Sequence, residues 1–92
     1  MYNYLVEFFG SVLMVYVILA TSNPLAIGFT YAFIILLTQK ISNGYMNPTV
    51  SIVMAATDQL PIQDLLPYIC LQVLGGLIGY QIYIRYKMNF FD

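Results

Sequence analysis

Few side chains in this sequence can do chemistry, and their types narrow what that chemistry is. There is no histidine and one cysteine, Cys70. That excludes disulfide frameworks, His- or Cys-ligated zinc and any Ser-His or Cys-His nucleophile pair within the chain. Three basic and four acidic residues (Glu7, Lys40, Asp58, Asp64, Arg85, Lys87 and Asp92) leave a net charge of -1. They form no basic stripe to neutralise phosphates, so nucleic-acid binding is excluded too, and no cofactor and no enzymatic activity are expected. What remains is hydrogen bonding by groups such as the amide of Asn47, which stands directly before Pro48. An amide has two donors and an acceptor. Its oxygen can cap a helix that starts at Pro48 while its NH2 meets a passing water. The dipole of that helix puts positive potential at the same place, which orients water and opposes protons. Glu7 is the one carboxylate inside an apolar run, where an ionisable group is costly and marks a functional or paired position. A supporting role fits it better than a proton relay, since the apolar stretches hold no His, Asp or second Glu to pass a proton on.

The elements that must position these groups are membrane elements. Of 92 residues, 61% are hydrophobic and 8% charged, whereas a soluble surface needs about a quarter to a third of its positions charged. The composition argues for one small multi-pass domain in a lipid bilayer. No charge occurs from Phe8 to Gln39, a run too long for one helix across a hydrocarbon core of about 30 Å. Asn23-Pro24 divides it, with Ser22 or Asn23 as cap and Pro24 in the first turn. The pattern predicts helices over about residues 3 to 21 and 24 to 40. The second is short for a crossing without a thinned bilayer or protein neighbours. A third span is predicted over about residues 62 to 86, closed by a collar of Tyr83, Tyr86, Phe90 and Phe91 with Arg85 and Lys87. Met1 to Glu7 lacks the basic side chain of a signal peptide.

Residues 41 to 57 start polar and glycine-bearing and continue as an apolar stretch from Asn47 to Ala56. About ten residues at about 1.5 Å each reach only half a bilayer, which reads as a re-entrant loop and half-helix. Such backbone persists at membrane depth only where protein covers it or a wet cavity borders it. The expected fold is all-α, with three transmembrane helices around one half-helix. Gly10, Gly28, Gly75, Gly76 and Gly79 are read as close-packing positions. Gly75 and Gly79 face either the first span of the same chain or a second chain. Gln72 and Gln81 are read as hydrogen-bonding groups between helices, and Cys70 as a packed apolar residue.

The segment Ile41-Ser42-Asn43-Gly44-Tyr45-Met46-Asn47-Pro48-Thr49-Val50-Ser51 resembles the first-repeat loop of the aquaporin, or major intrinsic protein, family. Glu7-Phe8-Phe9-Gly10-Ser11 is similar to that family's opening Glu-Phe-x-Gly-Thr. Leu25-Ala26-Ile27-Gly28 is similar to its second-span start, and Gln72-x-x-Gly75 to its third-span Gln-x-x-Gly. The likeness runs without gaps from Glu7 to Arg85, over a single repeat. It implies that Glu7 accepts hydrogen bonds from the re-entrant loop backbone and that Gln72 supports the same loop. It also implies a pore lined by Asn47, Pro48, Thr49, Ile27, Val50 and Tyr45. Three positions depart from the family pattern. Thr49 stands where Ala is usual, Tyr45 where the loop His is usual, and Ile27 where the constriction has an aromatic. Val50 holds the place matching the constriction Arg.

A family pore needs two half-helices meeting head to head, so one repeat is not expected to conduct alone. Lys40, Asp58 and Asp64 fall on the N-terminal side of the membrane and Arg85 and Lys87 on the other, which gives almost no positive-inside bias. That balance suits a self-associating pair inserted in opposite directions, or a higher homo-oligomer, passing water or a small neutral solute. Ile27 and Val50 in place of an aromatic and an Arg make a wider, more apolar constriction, which suits glycerol at least as well as water. The rival expectation is a non-conducting structural protein that keeps this fold for assembly in a viral or organellar membrane. A pore between parallel chains lacks support, because the spans carry no polar stripe.

Overall fold

The computed structural model describes residues 2 to 86. It holds four helices: α1 (Tyr2–Ala20), α2 (Pro24–Thr38), α3 (Pro48–Ala56) and α4 (Ile62–Arg85). Of the expected collar, Lys87, Phe90 and Phe91 lie outside the described residues. Tyr16 stacks edge-on against Tyr83 at 6.0 Å and donates its hydroxyl proton to the Tyr86 carbonyl at 2.8 Å. At about 1.5 Å per residue the 19-residue α1 and 24-residue α4 reach about 28 and 36 Å. Both are long and apolar enough to cross a membrane. The 15-residue α2 reaches about 22 Å and the nine-residue α3 about 14 Å.

Two Asn-Pro pairs start the inner helices. Asn23 Oδ1 accepts from the backbone of Leu25 and Ala26 at 2.9 and 3.4 Å, and Pro24 fills a position whose missing N–H has no helical partner anyway. Asn47 Oδ1 accepts from Thr49 N at 2.8 Å in the same way. Helix α2 stops at Thr38, where the chain turns so that Ile41 N and Ser42 N both donate to the Thr38 carbonyl at 2.9 Å. Gly44 then adopts φ +67. A Cβ there would lie 3.2 Å from the Ile35 backbone, so glycine answers both the dihedral and the space.

Helix α1 lies along α4 in the most extensive contact of the fold, with α3 against α4 and α2 against α1. Gly75 and Gly79 make that contact possible. A Cβ on Gly75 would lie 2.5 Å from the Phe8 carbonyl oxygen, and one on Gly79 2.6 Å from that of Val12. Of the two partners open for this glycine face, the structure selects the chain's own first helix. Gly10 sits under the Met46 sulfur. Two expectations are corrected. Gly28 meets nothing within 4 Å, because α2 turns that side outward, and Cys70 is exposed on α4 rather than packed. A tyrosine-centred core of Tyr45, Leu60 and Tyr68 closes one end of the bundle, with Tyr4, Val50 and Met54 packed on it. The outer faces are apolar, with Leu25 70% and Phe29 74% exposed on α2.

Candidate functional site

Glu7 is wholly buried (0% exposed) in the second turn of α1, beneath the segment that links α2 to α3. Its carboxylate gathers that segment. Ser42 Oγ donates to Oε2 at 2.7 Å, and Met46 N donates to Oε1 at 2.8 Å. The Gln72 side-chain nitrogen on α4 donates to Oε1 at 2.7 Å and to Ser51 Oγ on α3 at 2.8 Å. Ser51 in turn donates to the Asn47 carbonyl at 3.1 Å. All three donors to Glu7 are neutral. A short backbone-rich loop with no regular structure of its own is thus satisfied by one acidic side chain, which replaces the water that an apolar surround cannot supply.

The loop holds an unusual backbone shape to make these bonds. Asn43 and Met46 have φ of 71 and 52, a region side chains rarely adopt. At Met46 this left-handed turn brings the backbone N–H to Glu7. Tyr68 OH donates to the Ser42 carbonyl at 3.3 Å, and Asn3 Nδ2 donates to Tyr68 OH at 3.3 Å. Tyr31 OH on α2 donates to the Tyr45 carbonyl at 3.1 Å. Helices α1, α2 and α4 thereby all hold the loop.

Beside this network an open groove of about 600 Å³ runs between α1, α2 and α4, with the start of α3 at its side. Asn47, Pro48 and Ile27 line it, together with Ser11, Met14, Tyr31 and Gln72. Asn47 keeps its oxygen in the α3 cap and is exposed on the groove wall, so its NH2 is available there. Thr49 is exposed in the first turn of α3, whereas Val50 packs on the core and Tyr45 is buried in it at 6.2 Å from Tyr68. No group of three or more potential metal ligands occurs among the described residues. The arrangement can hydrogen-bond a neutral solute along an apolar wall.

The sequence profile described as Major intrinsic protein matches residues 1–90. The chain belongs to the major intrinsic protein family. It is 35% identical over 86 residues to Aquaporin Z of Brucella melitensis, an overlap of 77% of this chain and 38% of that protein. It is 30% identical over 88 residues to Glycerol uptake facilitator protein-like 6 of Lactiplantibacillus plantarum, covering 86% of this chain and 41% of that protein. It is 33% identical over 88 residues to Aquaglyceroporin of Toxoplasma gondii, covering 86% of this chain and 34% of that protein. This major intrinsic protein chain thus spans 34 to 41% of the length of these relatives. No solved structure matches it.

Among the residues of the site that escaped sequence reasoning as individuals are Ser42, Ser51, Ser11 and Tyr31. Two had a usable signal. Ser51 stands four residues after Asn47 and Ser11 four after Glu7, so helical spacing puts each on the face of a residue already singled out. Ser42 and Tyr31 had none, because their roles depend on how the loop folds back over α1.

Proposed function

We propose that two copies of this chain, inserted in opposite directions, enclose one conduit for water or small neutral solutes. In this reading α1, α2 and α4 cross the bilayer, and α3 is a re-entrant half-helix reaching its middle. The observation that carries the proposal is the open groove with Asn47 and Pro48 on its wall at the N-terminus of α3. It is one side of a mostly apolar passage with a capping amide on its wall, and it needs a second repeat to close it. A second copy related by a twofold axis in the membrane plane supplies the opposite wall and brings two half-helix N-termini together. The exposed apolar faces, such as Phe29 and Leu25, suit lipid.

In the closed conduit Ile27, Asn47, Pro48 and Thr49 form the wall, braced from the core by Tyr45 and Val50. Glu7 and Gln72 hold the loop in place. Two half-helices each present about half a positive charge at the junction, so cations and protons are refused while neutral solutes exchange water hydrogen bonds for those of Asn47. The names of the relatives make both water and glycerol the solutes to test.

The test is osmotic swelling of vesicles holding the purified protein, with tags on both termini to report orientation. Swelling faster than in protein-free vesicles, tags on both sides and an undisturbed pH gradient support the proposal. Swelling at the control rate favours a non-conducting structural protein, and a single orientation of the tags rules out the antiparallel pair. Fast proton leakage would mean that the half-helix field is too weak without an arginine.

A further inference from the structure

We infer that Ser11 and Gln72 form a second polar station on the groove wall, a seat for one hydroxyl group of a water or a small polyol. The inference rests on the conduit reading and adds to it a position that the Asn47 amide does not provide. Ser11 Oγ and Gln72 Oε1 are buried side-chain oxygens that find no hydrogen-bond partner among the described residues. Ser11 is 3% and Gln72 4% exposed, and both line the groove. Buried polar groups are nearly always paired, and exceptions need a reason.

The Gln72 oxygen is not free to seek another partner. Both hydrogens of the Gln72 amide are committed, one to Glu7 and one to Ser51 at 2.7 and 2.8 Å. Turning the amide over to hide Oε1 would break both bonds and set an oxygen against the Glu7 carboxylate. Ser11 lies on the close α1–α4 seam, its Cβ 3.0 Å from where a Cβ on Gly75 would stand. Helical spacing puts Ser11 one turn beyond Glu7 on the same face of α1, and Glu7 is the group Gln72 holds. Ser11 and Gln72 therefore flank the same stretch of the α1–α4 seam.

Two acceptors on the same stretch ask for a ligand with two donors, or with one donor and an acceptor for the serine proton. Water and a polyol hydroxyl satisfy these demands, whereas an anion would face two acceptor oxygens and the neighbouring Glu7 carboxylate. A water needs about 10 to 15 Å³ of accessible space and two to four polar partners; the groove that Ser11 and Gln72 line holds about 600 Å³, and their buried oxygens lie unpaired at its edge. The Gln72 to Ser51 to Asn47 chain of hydrogen bonds ties the station to the cap of α3. A solute crossing the apolar wall then has two polar points in succession, not one.

The test is water-to-protein magnetisation transfer by solid-state NMR on the isotope-labelled full chain in phosphatidylcholine bilayers, which needs no conduction. Expected is strong transfer to the side chains of Ser11 and Gln72 despite their burial, falling severalfold at Gln72 in Ser11→Ala. Dry Ser11 and Gln72 beside a wet Asn47 overturn the station and leave the conduit standing. A dry Asn47 as well overturns both. Transfer to Gln72 that is unchanged in Ser11→Ala shows that the two oxygens do not share a ligand, and also overturns the proposal. Added glycerol separates the sources: contacts moving from water to glycerol protons show that a polyol hydroxyl takes the seat, and contacts staying with water assign it to water. Helix content and melting of Ser11→Ala, followed by circular dichroism, confirm that the variant is folded.

Discussion

The Gln72 side-chain nitrogen lies 2.7 Å from Glu7 Oε1, joining α4 to α1 at the depth where the loop before α3 is anchored. Three residues farther along α4, Gly75 lets the α1 backbone close to a distance that no side chain would permit. The polar bond and the close approach depend on each other. Without Gly75 the helices separate and the 2.7 Å bond is lost; without Glu7 the close seam encloses unpaired donors.

Glu7→Gln is expected to be tolerated far better than Glu7→Leu. The glutamine oxygen still accepts from Met46 N and Gln72, and its NH2 meets Ser42 Oγ, which can accept instead of donate. Leucine leaves three donors unpaired, at about 1 to 3 kcal/mol each. Thermal unfolding of the purified variants decides the matter, and equal midpoints would show that Glu7 does not support the loop.

The helix starts were legible because Asn-Pro is a local signal: Asn23 and Asn47 cap through bonds that span only two or three residues. The partners of Glu7 were legible only through the family resemblance. Ser42 and Met46 lie 35 and 39 residues away from it, and no periodicity links such positions. Gly28 and Cys70 show the complementary limit. In an apolar helix with little contrast between its faces, a small residue looks alike whether it meets a neighbour or the outside. The family resemblance implies that Tyr45 lines the pore, and in the single chain it is buried against Tyr68 beside the left-handed turn at Met46.

Gly75→Ala should destabilise the protein and Gly28→Ala should not. The added Cβ meets the Phe8 carbonyl oxygen at 2.5 Å in the first case and nothing within 4 Å in the second. Overpacking of rigid backbone costs about 1 to 3 kcal/mol, whereas alanine in an open helical position gains about 0.5 to 1 kcal/mol over glycine. Unfolding midpoints should therefore move in opposite directions; a matching change in both would mean that the α1–α4 seam is looser than its geometry implies.

Asn47→Ala combined with Pro48→Leu should loosen α3 selectively. The cap to Thr49 N is worth about 1 kcal/mol, and leucine adds a backbone donor in the first turn with no helical acceptor. Hydrogen exchange should quicken over α3 while α1 and α4 keep their protection. Unchanged exchange at Thr49 and Val50 would mean that the Asn-Pro pair does not set this helix.

Ile27→Phe tests the proposed conduit at the position that the family resemblance gives to its constriction. Ile27 stands on the groove wall and is only half-buried, so a larger ring can turn into open volume without disturbing the core. A twofold pair carries the substitution twice, once on each side, so the passage narrows from both walls. Water is small enough to pass a narrower ring, and glycerol must shed more of its hydration and fit a larger body. Swelling driven by a glycerol gradient should fall severalfold, swelling driven by an impermeant sugar should fall less, and the melting temperature should hold. An equal loss of both rates at unchanged stability would place the constriction elsewhere on the wall, and a loss of stability would show that Ile27 is a packing residue and not part of an open surface.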